Sequence, residues 1–282
     1  MTYKIIGDSC LDLTEEMKRD PHFQMIPLTL QVGEAQVADD ADFDQRAFIA
    51  MVKACPECPK TACPSPEAYR AAIAAADAPM VFVITLSCHL SGSYNAACVG
   101  KQLYEEEQGK EGKRVEVIDS LSASSGQLAI ALYIRALCEE GLPFEEIRDR
   151  ALAFRDGMGT YFVLESLDTL RKNGRLAGLQ AFFATALNIK PVMGAEKGVI
   201  IKLHQARGIS RALQRMCDIA VRDGGDTSGK TAVICHVNNP ARAQLVKEEL
   251  LKRASFRQIV ITEAAGVATV YANDGGIVLA VG

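Results

Sequence analysis

Tryptophan is absent from the 282-residue chain, and all aromatics together make up 6%. Platforms on which nucleic-acid bases could stack are therefore scarce. Positive charge is not in surplus: 31 Lys and Arg against 35 Asp and Glu give a formal charge of −4. That balance argues against nucleic acid or an anionic membrane as partner. No run approaches the roughly 18 apolar residues of a transmembrane helix. The start reaches Asp8 before the apolar region of a secretory leader could form, so no leader is expected. Nine cysteines, an odd count scattered from Cys10 to Cys235, fit a reduced, cytoplasmic protein better than a disulfide framework. Long linkers, low-complexity segments and internal repeats are missing as well.

What is present is ordinary globular composition, 49% apolar and 23% charged, enough for one large or two ordinary domains. In the first half, apolar segments Tyr3–Gly7, Met25–Val32, Met80–Leu86 and Val115–Ile118 read as strands. They alternate with helices over Asp44–Ala54, Pro66–Ala76, Ser91–Glu107, Ala123–Glu140 and Pro143–Arg155. This rhythm predicts βαβ units and a largely parallel sheet. It changes after Gly157-Met158-Gly159. Thr160–Leu164, Thr231–His236, Gln258–Thr262, Val267–Tyr271 and Ile277–Val281 read as strands, and Ile189–Met193 with Val199–Leu203 as a hairpin across Gly194–Gly198. Ser166–Lys172, Gly178–Leu187, Ser210–Arg222 and Pro240–Arg253 read as helices. The expected fold is α/β with two domains. An N-terminal domain over 1–157 holds a largely parallel sheet flanked by helices, and a C-terminal domain over 158–282 is mixed α/β.

Polar residues cluster where the predicted strands end, at Asp8-Ser9, Ser87–Ser93 and Asp119-Ser120. In an open parallel sheet, ligands bind outside those carboxyl ends. The segment Ser87-Cys-His-Leu-Ser91-Gly-Ser93 runs from an apolar strand into a helix start. Free N–H groups, a permissive glycine and two hydroxyls make such a place suitable for a carboxylate or phosphate. It lacks the spacing and lysine of a P-loop and the G-x-S-x-G order of a nucleophile elbow. Thr61 lies in a second loop that enters a helix at Ser65-Pro66, where Ser65 suits an N-cap. Arg175, after Asn173-Gly174, could bind a carboxylate or complement a helix end. His89 within the serine loop could serve as base to Ser91 or Ser93 in a serine hydrolase or acyl-transfer enzyme, the alternative function. Cys55, Cys58 and Cys63 offer a thiol-redox or metal reading, but no second C-x-x-C exists to complete a zinc site.

Taken together these segments resemble the DegV family of bacterial fatty-acid-binding proteins. Asp8–Leu13 (DSCLDL) is similar to the family's D-S-x-x-D-L, Thr61–Ser65 (TACPS) to T-S-Q-P-S, and Leu86–Tyr94 (LSCHLSGSY) to S-S-x-L-S-G-T-Y. Val117–Ser120 followed by Ser124-Ser125-Gly126 resembles V-x-D-S, and Leu170–Arg175 resembles L-x-x-G-G-R. The resemblance implies a long-chain fatty acid held between the two domains, with the acyl chain in an apolar tunnel and no cofactor. Thr61 and Ser91 would hold the carboxylate, with Ser93 and Ser65 behind them and Arg175 near the mouth. The protein would be non-catalytic, and some members carry the acyl group for a separate ATP-binding kinase subunit. The family's C-terminal H-x-G-P-G stands here as Tyr271–Gly275 (YANDG). Tyr271 would still offer a hydroxyl, whereas Asp274 is expected to bring negative charge near the anion site. Cys63 replaces the usual Gln, and Ser93 the usual Thr.

Overall fold

The computed structural model describes residues 2–108, 112–176 and 188–282. Strands β1 (Tyr3–Asp8), β2 (Phe23–Ile26), β6 (Met80–Thr85) and β7 (Arg114–Asp119) form a parallel sheet in the order β2-β1-β6-β7. Its core strand β6 is buried along its whole length, as an unbroken apolar run in a two-sided sheet requires. Tyr3, Ile5, Phe82 and Ile84 face helices α4 (Ser125–Glu139) and α5 (Phe144–Gly157). Ile6, Val81 and Val83 face α2 (Pro66–Ala75) and α3 (Ser93–Gln108) on the other side.

A six-stranded mixed sheet holds β8 (Gly159–Val163), β9 (Ile189–Glu196), β10 (Val199–Arg207), β11 (Thr231–His236), β12 (Gln258–Glu263) and β13 (Ile277–Val281). Its order is β10-β9-β8-β13-β11-β12, with only β11 and β12 parallel. Helices α7 (Ile209–Gly224) and α8 (Pro240–Leu251) cover one face. Helix α4 packs against the first sheet and also against Val233 and Ala280 of this one. Being enclosed between two sheets explains why it is apolar nearly all round. We propose that the division into residues 1–157 and 158–282 falls at the turn from α5 to β8.

A small antiparallel sheet, β4-β3-β5, comprises β3 (Thr29–Val32), β4 (Ala35–Ala38) and β5 (Lys60–Ala62). It corrects the single strand expected over Met25–Val32. Pro27 has no N–H to give a ladder, so the chain leaves the first sheet after Ile26 and starts a new one at Thr29. Thr61 consequently sits on a strand rather than in a plain loop. Helices α1 (Gln45–Ala54), α6 (Asp168–Lys172) and α9 (Gly266–Ala272), with a 3₁₀ turn over Met17–Arg19, complete the described elements. The strand expected over Val267–Tyr271 is thus a helix, because its first N–H groups find carboxylates, as described below. The helix expected over Gly178–Leu187 lies outside the described residues. The expected hairpin forms with a shorter turn than Gly194–Gly198, because Gly194–Glu196 join the ladder: Glu196 pairs with Val199 across Lys197 and Gly198, both with positive φ (47° and 81°), as a two-residue primed turn demands.

Candidate functional site

Strands β1, β6 and β7 are neighbours, so their carboxyl ends bring Asp8, the serine loop 86–92 and Asp119 side by side. Asp8 is fully buried and accepts hydrogen bonds from Leu86 N (2.8 Å), Gln127 Nε2 (2.9 Å) and Cys10 N (3.2 Å). Asp119 accepts from Leu121 N (3.0 Å) and Cys88 N (3.2 Å). The serine loop is therefore fixed from both sides by strand-end carboxylates. Burial pushes the Asp8 carboxyl up to about 6, against the opposing pull of its hydrogen bonds from Gln127, Leu86 and Cys10.

In front of this loop lies a cavity enclosing about 850 Å³ of space, its open mouth included. Its wall is mostly apolar: Leu28, Leu86 and Leu90 from the first half, Phe162, Leu164, Leu170, Ile200 and Val278 from the second. These residues belong to two apolar clusters, and α9 contributes to both, with Ala268 and Ala272 in one and Val267 in the other. The cavity is the seam between them.

Four of the polar groups singled out from the sequence line it: Thr61, Ser91, Arg175 and Tyr271. Thr61 Oγ1 and Tyr271 Oη are 2.9 Å apart. Arg175 lies with its guanidinium 5.5 Å from the centre of the Tyr271 ring and donates to Leu90 O (3.2 Å) and Asn173 O (2.6 Å). It thereby ties the end of α6, the serine loop and α9 together. Ser93 stands behind Ser91, fully buried, with its Oγ 3.2 Å from Ser91 Oγ and its N–H donating to the same oxygen at 3.2 Å. Ser65 is not brought to the cavity lining: it is exposed, and its Oγ accepts from Ala68 N (3.2 Å) as the N-cap of α2.

Asp274 corrects the expectation of a charge near the anion site. Its carboxylate pairs with Lys53 Nζ (2.7 Å) and accepts from Asn238 Nδ2 (3.0 Å), away from the cavity lining. His89 is exposed, and no histidine stands at hydrogen-bond distance from Ser91 or Ser93 among the described residues. The hydrolase arrangement is therefore not assembled. Cys55, Cys58 and Cys63 are free thiols, and no group of three or more metal-ligating side chains occurs among the described residues.

Other residues build the site without having been singled out. Asp12 accepts from Ala265 N (2.6 Å) and from Ser124 Oγ (2.5 Å). Asp39 accepts from Gly266 N (2.6 Å) and Val267 N (2.9 Å). Two carboxylates thus satisfy the first N–H groups of α9 and seat this wall of the cavity on the N-terminal half. Burial raises the Asp12 carboxyl to about 7. At the opposite wall, Ser87 Oγ donates to Gly198 O (2.9 Å), so the tip of the β9–β10 hairpin rests on the serine loop. A Cβ at Gly198 would lie 2.5 Å from Ser87 Oγ.

The model of the uncharacterised DegV protein family matches residues 2–281. The chain belongs to the DegV family. A DegV domain-containing protein of Streptococcus gordonii is 33% identical over 282 residues, covering 99% of this chain and 98% of its own. Among solved structures, a DegV protein of Ruminococcus gnavus, described with vaccenic acid, is 42% identical with a TM-score of 0.95 and covers 99% of both chains. The fatty acid kinase (Fak) B3 protein of Streptococcus pneumoniae, loaded with linoleic acid, is 32% identical with a TM-score of 0.87 and the same coverage. Within this DegV chain, the site residues that sequence reasoning missed are Asp39 and Gly198, while Asp12 and Ser87 stood in the quoted runs Asp8–Leu13 and Leu86–Tyr94 without a stated role. Nothing in the sequence signals what Asp39 and Gly198 touch.

Proposed function

We propose that this protein binds a long-chain fatty acid, with the carboxylate at Thr61 and Ser91 and the acyl chain along the apolar wall. The observation that carries the reading is that Thr61, Ser91, Tyr271 and Arg175 converge on one otherwise mostly apolar cavity. When Tyr271 donates its proton to Thr61 Oγ1, the Thr61 hydrogen is left for the ligand, and Ser91, which already accepts from Ser93 N, offers its own. Charge-assisted bonds of this kind are about twice as strong as neutral ones. Burial of an alkyl chain adds about 0.8 kcal/mol per CH₂, so a C16 tail dominates affinity. Arg175 adds positive potential at the same end without being consumed by a salt bridge among the described residues.

The role is that of a carrier rather than a catalyst. The likeness to a fatty acid kinase B3 protein supports presentation of the bound carboxylate to a separate ATP-binding subunit. A cytoplasmic setting agrees with nine unpaired thiols, and no described helix is long and apolar enough to cross a membrane. The test is displacement of a fluorescent fatty acid by palmitate. Ser91→Ala with Thr61→Ala should weaken palmitate at least about tenfold, a loss of about 1.4 kcal/mol. Unchanged affinity overturns the head-group assignment.

A further inference from the structure

Behind the serine loop, Asp8 is a carboxylate with no exposure to solvent, and the groups that hold it are neutral donors: Leu86 N, Cys10 N and Gln127 Nε2. A lone buried charge is costly and is relieved when the group takes up a proton. It stands directly behind the cavity wall, since Leu86 and Cys10, whose N–H groups it accepts, both line the cavity beside Ser91. The surroundings can serve either protonation state. Gln127 gives Nε2–H to the ionised form, while its Oε1 has no hydrogen-bond partner among the described residues. Half a turn of that amide would offer Oε1 to a protonated Asp8. The buried hydroxyls of Thr85, next to Asp8 across β6, and Tyr69 are likewise without partners among the described residues.

We propose that binding of a carboxylate at Ser91 is accompanied by uptake of one proton from solvent onto Asp8. This rests on the fatty-acid reading above. The anion adds a second negative charge on the other side of the wall formed by Leu86 and Cys10, and neutralising Asp8 removes the repulsion. Only an O–H bond on Asp8 is formed. Neighbouring titratable groups do not take this role. Tyr69 from α2 and Cys10 from the loop after β1 both have their pKa pushed well up by burial and stay protonated. Helices α3 and α4 present Ser93 and Gln127, and β6 presents Thr85 and the Leu86 amide, none of which titrates. Asp12 and Asp39 are occupied with the start of α9, and Asp12 also accepts from Ser124 Oγ at the cavity wall, so its own titration is separated by the Asp12→Asn variant below. On the cavity side, Arg175 is held by backbone carbonyls.

The test is calorimetry of dodecanoate binding in two buffers of different ionisation heat, with dodecanol as the uncharged probe. The expected result is uptake approaching one proton near pH 7 with dodecanoate and none with dodecanol. Dodecanoate affinity should tighten toward about tenfold per pH unit as pH falls from 8 to 6. Asp8→Asn should abolish the uptake. Because that change places an amide against donors and can disturb the fold, Gln127→Met serves as second variant: it removes the one side-chain donor of the ionised form, leaves the backbone bonds of Asp8 in place and should lower uptake. Asp12→Asn should retain it. Tight dodecanoate binding without proton uptake, or uptake unchanged in Gln127→Met, overturns the proposal. Failure of dodecanoate to bind at any pH overturns the fatty-acid reading itself and this inference with it.

Discussion

The hydroxyls of Thr61 and Tyr271 meet at 2.9 Å although 210 positions separate them in the chain. One rides on an edge strand of a three-stranded sheet, the other on a seven-residue helix near the C-terminus. Their meeting makes the head-group end of the cavity a property of the closed molecule rather than of either half.

Breaking that pair should weaken ligand binding without unfolding the protein. Tyr271→Phe and Thr61→Val should each raise the palmitate Kd roughly 5- to 30-fold, in line with about 1–2 kcal/mol for a charge-assisted hydrogen-bond system. The double variant should fall short of the sum, since both changes remove the same interaction. A displacement titration of the four proteins checks this.

The hairpin tip gives a separate handle. Gly198 has φ of 81°, and a Cβ there would sit 2.5 Å from Ser87 Oγ. Gly198→Ala should cost about 1–3 kcal/mol through backbone strain and the forced retreat of the tip. Urea unfolding should report the loss, and stopped-flow release of a fluorescent fatty acid should be faster than in the parent.

Filling the seam should block the ligand directly. Ala268 is buried and lines the cavity from α9. Ala268→Phe places a ring in the space that the tail would occupy. Fatty-acid uptake should be lost, while the cost to folding stays within about 1–3 kcal/mol because the ring enters existing space. Retained palmitate binding would place the tail elsewhere.

Stability should depend on pH through the buried carboxylates. In the folded protein Asp12 ionises at about 7 instead of the ordinary 3.8. The folded state therefore holds its proton more tightly than the unfolded chain, and this contribution is present at pH 4 and lost as pH rises toward 7. Each unit of such a shift corresponds to about 1.4 kcal/mol. Denaturant midpoints of the parent, compared with Asp12→Asn, should show a fall between pH 4 and 7 that is smaller in the variant.

Elements were legible where local pattern and tertiary demand agree. The run Met80–Thr85 is apolar throughout and becomes the doubly covered strand β6. Gly194–Gly198 separates two apolar stretches, and Lys197-Gly198 within it becomes the turn of a hairpin. Ser91 stood out because hydroxyls cluster at a helix entry, and Thr61 through the family motif that its run resembles. The failure at Val267–Tyr271 has a definite cause: its β-branched residues favour a strand locally, but Asp12 and Asp39, 253 and 228 positions away, capture the N–H groups of Ala265 and Val267 and start a helix. Asp274 misled for a similar reason, since its partner Lys53 is 221 positions away. Motif order picked out Thr61, Ser91, Arg175 and Tyr271, which line the cavity, and Ser65, which does not; only the folded chain reports which residues hold them in place.

The most direct test of the central claim is native mass spectrometry of the protein as purified, followed by denaturing extraction and identification of the released lipid. One extra mass per chain, matching a long-chain fatty acid, is the predicted result. A bare chain that also takes up neither added palmitate nor added oleate would contradict the account.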